Sequence, residues 1–483
     1  MPFILGTNSI KDTTFDVENS IRFEPGDNDH LERDPSSSGN RSTFTISFWM
    51  KLAQISTGTM FIIGSTSNGS NDYFAIRMEN HKIECLAYNN GSKVLSFSSN
   101  ALLRDPASWY HVVTAIDTTQ GTEANRFKMY LNGSQITSWA TSDYPSQNAT
   151  MQWNHTENHF IGCFTEGVHN FRGYLSEIVN IDGSQLDVTS FGEFDEDTPF
   201  IWKPKAVSGL TFGTNGFYLD VPGASTGQNA SGMGGDSSGN GHHFGSSGLS
   251  AESRVTDTCT NNFCTLNILS ADEMTFTQGS LDVAQASDDG GGSRSDDNAR
   301  GTMGVNSGKW YWETKLTGAT APCVVGICFD ELKTGFSDLS GSTGVYAIQN
   351  ASGTYAYRRE NGTTSETSGY PNPVANNIMN VAFDADNGKL YLGINGTYYN
   401  QAGSTGNPAT GSNPTFSSID TSFFWLPWIE SRGDNQQALM NFGGGTSYSI
   451  SSGNADGEGF GNFEYAVPSG YFALCTKNLA EYG

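Results

Sequence analysis

Between residues 44 and 182 the alternation of apolar and polar positions breaks the chain into short runs. They read FTISFWMKL, TMFIIGS, YFAIRME, KIECLAY, KVLSFS, WYHVVTAID, RFKMYLNG, HFIGCF and GYLSEIVNID, with turn residues at nearly every junction. Such spacing predicts the antiparallel strands of a β-sandwich. In RFKMYLNGSQIT, residues 126–137, Phe127, Met129 and Leu131 alternate with Arg126, Lys128 and Tyr130, the period of a strand with one buried face. Asn132-Gly133 then supplies the two positive-φ residues of a type I′ turn, so a hairpin is expected. The same device recurs in KLYLGINGTYYN, residues 389–400, with Leu390, Leu392 and Ile394 inward and Asn395-Gly396 in the turn. No long stretch has helical periodicity.

After Asp182 the segment GSQLDVTSFGEFDEDTPFIWKPKAV is acidic and reads as chain that leaves the sandwich and packs along it. Residues 222–250, which include ASGMGGDSSGNGHHFGSSG, have no period and little to bury, which predicts a flexible connector. A second strand-rich block begins near Asn261 and is clearest from GKWYWETKL at 308–316. The expected division is a sandwich over 1–204, a Gly/Ser/Asn-rich connector over 205–260 and a second sandwich over 261–483. With 57 Gly, 30 Phe and 19 Tyr, and only 16% charged residues, composition favours this all-β reading over helical bundles.

Charge narrows the partners. Twenty-five Lys and Arg against 50 Asp and Glu give a net charge of -25, which repels nucleic acid and anionic lipid. The start, MPFILGTNSIKD, has neither the basic beginning nor the apolar core of a signal peptide, and no run is long enough to span a membrane. A soluble protein made without a classical export signal is expected. Seven dispersed cysteines (Cys85, Cys163, Cys259, Cys264, Cys323, Cys328, Cys475) fit reduced thiols better than a disulfide framework, and Cys259 with Cys264 lacks the second ligand pair of a zinc site.

Four runs of the first block, FTISFWMKL (44–52), WYHVVTAID (109–117), FKMYLNG (127–133) and FRGYLSEIVNID (171–182), together resemble the laminin-G-like branch of the concanavalin A-like jelly roll. In the second block GKWYWETKL, VVGICFD (324–330), NIMNVAFDADNGKLYLGINGTYY (377–399) and LMNFGG (439–444) resemble the SPRY domain, also a concanavalin A-like sandwich. The acidic insert SDDGGGSRSDD (287–297) departs from that pattern. With GTNGFYLDV, DSSGNGHHF, TNNFCTLN and the closing GYFALCTKNL, the pairing resembles virion surface proteins of tailed bacteriophages, notably marine ones. The resemblance implies a virion location after assembly in the host cytoplasm, other virion proteins and host-surface glycans or receptors as partners, and a homo-oligomer, with a trimer first in line. From the residues themselves, no cofactor and no metal site is expected.

Candidate chemistry is sparse. Glucanases of this superfold carry Glu-x-Asp-x-x-Glu on one strand; here GEFDEDTPF (192–200) offers Glu193 and Asp195, but position 198 is Thr and Pro199 interrupts the string. No Gly-x-Ser-x-Gly surrounds a serine, and His111 reads as a satisfied, partly buried histidine. DADNG (384–388) lacks the later ligands of a calcium loop and reads as a turn, and the RGD tripeptide at 432–434 sits in ordinary loop composition. For sugars, a ring that stacks on a pyranose beside amides that read hydroxyls is the useful pattern. The loop 138–155 has Trp139, Tyr144 and Trp153 among Asp143, Gln147, Asn148 and Asn154; Tyr370 with Asn372, and Tyr398 with Tyr399, are counterparts in the second block. The competing reading is that these rings pack beneath their own loops or against a neighbouring subunit. The expected function is a non-enzymatic phage tail or head fibre protein attaching to host glycans or receptors. Its alternatives are a capsid decoration protein that binds virion neighbours and, behind both, a glucanase-like depolymerase.

Overall fold

The computed structural model describes residues 4, 14–55, 58–69, 71–165, 168–271, 274–285, 297–318, 323–329, 344–351, 353–431 and 437–483. The RGD tripeptide and the acidic insert before Asp297 lie outside the described residues. The chain divides into two compact units, Thr13–Thr260 and Asn261–Gly483, the second also taking Met1–Asp12. Residue Ile4 accordingly bridges to Met303, which moves it out of the expected 1–204 sandwich. Both units are all-β, and the one α-helix among the described residues is Thr476–Tyr482.

In the first unit one sheet runs, in spatial order, Ser134–Gln135, Phe127–Leu131, Trp109–Asp117, Thr43–Leu52, Gly173–Asp182, Ser20–Phe23 and Arg254–Val255, with Phe217–Leu219 also paired to Gly173–Asp182. The other runs Trp139–Asp143, Ser92–Ser99, Lys82–Asn89, Asp72–Glu79, Met60–Asn68, Asn158–Ile161, His30–Arg33 and Gly245–Ser247. Alternate residues, among them Phe44, Ile46, Phe48 and Met50 with Phe74, Ile76, Met78 and Phe97, fill the core between the sheets.

The residues between those inward positions, Thr45, Ser47, Trp49 and Lys51, are buried too. A second apolar layer explains it: Val188, Phe191, Trp202 and Tyr218 pack with Trp49, Trp109, Val113, Tyr130 and Tyr174. Trp202 Nε1 donates to His111 Nδ1 at 2.9 Å, and His111 Nε2 meets Ser47 Oγ at 2.9 Å. Burial holds His111 down to about 3, so the ring is neutral, accepts on Nδ1 and donates from Nε2. It is fully buried, where the sequence implied partial burial. Lys51 is matched by Asp257 at 2.7 Å, whose other oxygen accepts from Trp109 Nε1 at 3.2 Å.

The expected flexible connector is not one. Phe217, Leu219, Val221, Met233, Phe244 and Leu249 all belong to the core of the first unit. Gly245–Ser247 pairs with His30–Arg33, and Arg254–Val255 with Ser20–Phe23. Asp236 organises the glycine-rich turns, accepting from the backbone N–H of Tyr218 at 2.9 Å, Ser238 at 2.9 Å and His242 at 2.7 Å. A few isolated apolar anchors in a stretch of side-chain-capped turns have no period, which is why composition reads them as a linker.

The second unit pairs a sheet of Met274–Thr277, Asp282–Gln285, Gln437–Asn441, Lys309–Leu316, Ile378–Asp384, Lys389–Ile394 and Thr397–Tyr399, joined by Phe472–Ala473, with a six-stranded sheet. The latter runs Asp297–Arg300, Trp425–Ser431, Cys323–Phe329, Val345–Gln349, Tyr355–Glu360 and Thr363–Pro371. Trp310, Trp312, Val325, Ile327, Phe383, Leu390 and Leu392 are among the core residues between them. Here too an outer face is covered: Phe463 and Tyr471 pack on Tyr311, Ala382, Tyr391 and Tyr398. The buried Glu313 carboxylate pins this cover, accepting from Tyr311 Oη at 2.8 Å, Tyr448 Oη at 3.2 Å and the N–H groups of Glu464 at 3.0 Å and Tyr465 at 2.8 Å. Desolvation nonetheless pushes its pKa up.

The two Asn-Gly hairpins share more than sequence. Asn132 and Gly133 have φ of 46° and 79°, Asn395 and Gly396 50° and 82°, as a type I′ turn requires. Asn132 N–H donates to His111 O at 2.9 Å while its Oδ1 accepts from His111 N–H at 2.8 Å. Asn395 does the same with Ile378, at 2.8 and 2.9 Å. A ring from the cover then sits on each glycine: a Cβ on Gly133 would lie 2.2 Å from Trp202, and one on Gly396 2.6 Å from Tyr465.

Gly133→Ala and Gly396→Ala should each lower stability by about 2–4 kcal/mol, the left-handed penalty plus overpacking. Gly121→Ala, where a Cβ meets nothing within 4 Å, should change it by less than about 0.5 kcal/mol. Denaturant titration measures all three, and losses as small at 133 and 396 as at 121 would refute the clamp. In limited proteolysis residues 222–250 should resist cleavage as long as the rest of the first unit does; early cutting there would restore the linker reading.

Candidate binding surface

The second sheet of the first unit turns Phe74, Ile76 and Met78 inward, which leaves Tyr73, Ala75, Arg77 and Glu79 on its outer face. Register places three cross-strand rows there. Thr66, Tyr73, Tyr88 and Lys93 form the first; Gly64, Ala75, Leu86, Ser96 and Asp143 the second; Phe61, Arg77, Glu84, Ser98 and Thr141 the third. The middle row has the smaller side chains, and Phe164 packs over them, so Phe61, Tyr73, Ala75 and Leu86 are buried and Tyr88 and Lys93 are left half exposed beside them.

Rings and charged groups alternate across this face. Tyr73 and Tyr88 stack with centroids 5.0 Å apart and planes 16° apart, and Phe164 meets Tyr73 edge-on at 5.3 Å. Burial and the neighbouring Tyr88 push the Tyr73 hydroxyl up. Lys93, which pairs with Asp143, is half exposed and has its pKa raised by that partner. The same Phe164 ring, with His169, packs against Phe61, while Arg77 lies over the Phe61 ring at 5.6 Å and bonds Glu84 through Nε at 3.0 Å and a terminal nitrogen at 2.9 Å. Glu79 is 3.8 Å from the same guanidinium. Glu79 and Glu84 thus share one guanidinium.

The rings expected to bind sugar have other places. Trp153 is fully buried and donates to Asn180 Oδ1 at 3.0 Å, so it has no free face. Tyr370 is fully buried, edge-on to Tyr399 at 5.8 Å, and Tyr398 is buried within the cover of the second unit. These three assignments are corrected by burial. Tyr399 is half-buried against the second core. Trp139 and Tyr144 are half-buried, both edge-on to Phe97 at 5.0 and 4.8 Å, and close the open end of the first core. Asn148 is exposed, its N–H donating to Thr118 O at 2.8 Å. Asn154 belongs to a buried network with Asn180 and Asp182.

The acidic string is a structural turn. Asp195 accepts from Asp197 N–H at 3.1 Å and Thr198 N–H at 2.8 Å and pairs with Lys203 at 3.0 Å, bonds that also hold its pKa down. Asp384, in DADNG, pairs with Lys309 at 3.2 Å and accepts from Asn387, the bonding of a turn.

Residues 25–182 match the family model described as the concanavalin A-like lectin/glucanases superfamily, laminin G type. The first sandwich is therefore of the concanavalin A-like kind. Among solved structures the chain is similar to the PSpry domain of TRIM65 (12% identity over 37% of this chain and 92% of that one, TM-score 0.27). It is likewise similar to the SPRY domain of human HERC1 (14%, 38% and 99%, TM-score 0.28) and to a native heptameric SAP-like pentraxin from Limulus polyphemus (20%, 36% and 80%, TM-score 0.27). At those values none of the three bears on what this chain binds. No curated protein matches it. Among the described residues no helix is long and apolar enough to cross a membrane.

Sequence reading missed Tyr73 and Tyr88. The available signal was a tyrosine on the outward phase of two consecutive strands, at the start of YFAIRME and the end of KIECLAY.

Trp153→Ala should destabilise the first unit by about 3–5 kcal/mol, as large-to-small changes in a closed core do. Tyr88→Ala, with its ring half-buried on the outer face, should cost less than about 1.5 kcal/mol. Equal losses in thermal and denaturant melts would show that Tyr88 is core.

Proposed function

We propose that this chain is a non-enzymatic binding protein that takes glycan on the outer face of its concanavalin A-like sandwich, around Tyr88 and Lys93. The observation that supports it is the half-exposed Tyr88, backed by the buried Tyr73 ring stacked on it and flanked by the Lys93–Asp143 pair. Rings supply stacking area, and the flanking charged and hydroxyl groups read sugar hydroxyls. The placement of this surface on a tailed-phage virion, with host glycan as ligand and a homo-oligomeric state, extends the resemblance of the whole sequence.

A second reading, attachment to neighbouring virion proteins, is favoured by one feature. Phe200 is 82% exposed and Phe194 43% exposed on the turn that holds Glu196 and Asp197. An exposed aromatic pair ringed by acids suits a basic protein surface with an apolar pocket.

Binding of the full-length protein to host-surface polysaccharide, measured by calorimetry, is the test. Tyr88→Ala should weaken it by about 1–3 kcal/mol, the scale of a binding hot spot, without lowering the melting temperature appreciably. Unchanged affinity in Tyr88→Ala would dismiss this surface. Release of reducing sugar from the same polysaccharide, abolished by changing Glu84 or Glu79, would replace the binding reading with a hydrolase.

A further inference from the structure

The six-stranded sheet of the second unit has an outer face of a different character at Tyr355–Glu360. Ala356 faces the core, so Tyr355 and Tyr357 point outward, 39% and 37% exposed. Their Cα atoms are about 7 Å apart along the strand. The pairing jumps between them, Tyr355 opposite Pro371 and Tyr357 opposite Glu366, because Thr367 and Tyr370 fold inward; Thr367 Oγ1 donates to Ala356 O at 2.9 Å. Such a bulge re-aims neighbouring side chains.

Register sets Gln349 on one side of Tyr357 and Glu366 on the other. Gln349 is held from behind. Its Oε1 accepts from Arg359 Nε at 3.2 Å and from a terminal nitrogen at 3.0 Å, and Arg359 is locked by two bonds to the buried Glu430, at 2.9 and 3.0 Å. With its oxygen occupied, the carboxamide turns its NH2 group away from Arg359. Among the described residues neither that NH2 group nor the exposed Glu366 carboxylate has an internal hydrogen bond. The face thus carries two rings, a preset donor and a free acceptor, all on strands rather than loops.

We propose that Tyr355, Tyr357, Gln349 and Glu366 form a second saccharide-binding platform, on the SPRY-like unit, that takes a neutral, hydroxyl-rich polysaccharide. Stacking needs a ring face, and hydroxyl recognition needs a donor and an acceptor at the ring's flanks; both are present here. The free carboxylate and the chain's net charge of -25 disfavour uronate or sulfated chains. A peptide would engage the backbone of a sheet edge, whereas these rings stand on the face. The inference rests on the glycan reading above but on a different unit, so the two can fail separately.

The experiment is tyrosine nitration of the full-length protein with tetranitromethane, mapped by peptide mass, in the presence of dextran, yeast mannan, alginate or a polyproline peptide. Dextran or mannan should slow nitration of Tyr355 and Tyr357 severalfold, and Tyr357→Ala and Glu366→Ala should each weaken binding of that polysaccharide about tenfold. Protection of Tyr88 alone would overturn this platform and leave the Tyr88 surface standing; protection of Tyr355 and Tyr357 alone would support the platform and remove the Tyr88 surface. Protection by alginate or polyproline in place of the neutral chains would overturn the assigned ligand class. No protection by any of the four would overturn both sites.

Discussion

A strand has two faces, and in each unit of this protein one sheet has both of them buried. That constraint organises the rest. In the first unit Trp49, Lys51 and His111 stand on the side of the sheet away from the core, and in the second Tyr311, Glu313 and Asn380 do. Buried polar groups need partners, and the covering segments supply them: Trp202 for His111, Asp257 for Lys51, and the Glu464 and Tyr465 amides for Glu313. The covers are therefore a third layer whose position is fixed by hydrogen bonds rather than by apolar area alone.

The repeated hairpin is where turn and cover meet. Asn-Gly does more than reverse the chain, because each asparagine side chain extends the ladder by one bond to the preceding strand, and each bare glycine lets a ring of the cover lie on the turn. The opposite sheet of each sandwich is covered only in part, over Phe61, Tyr73, Ala75 and Leu86 in the first unit and over Val324, Cys328, Val345, Ala347 and Trp428 in the second. Both candidate surfaces, around Tyr88 and around Tyr357, lie on those opposite sheets.

Much of this was legible in the sequence. Asn132-Gly133 and Asn395-Gly396 announce their hairpins because only a positive-φ pair closes such a turn, and period two in 127–131 and 390–394 assigns the inward residues correctly. The covers were not legible, since Trp202, Phe463 and Tyr471 obey no local period and are placed by contacts far away in the chain. Trp153 was misread for a related reason: Gln152 and Asn154 beside it look like loop polarity, but inside the fold Gln152 bonds Asn89 and Asn154 bonds His159 and Asn180. Met233, Phe244 and Leu249 were lost in a glycine-rich stretch whose order comes from Asp236 and its turns.

The covers also impose a schedule on synthesis. Glu313 leaves the ribosome long before the amides of Glu464 and Tyr465 that satisfy it. At bacterial to eukaryotic elongation rates of about 5–20 residues per second, the wait is roughly 8–30 s. Over that interval Tyr311, Tyr391 and a desolvation-sensitive carboxylate line an unfinished sheet face, one that a nascent chain must keep from neighbouring ribosomes' products. The outer face of this sheet is thus among the last parts of its unit to be closed as the chain is made.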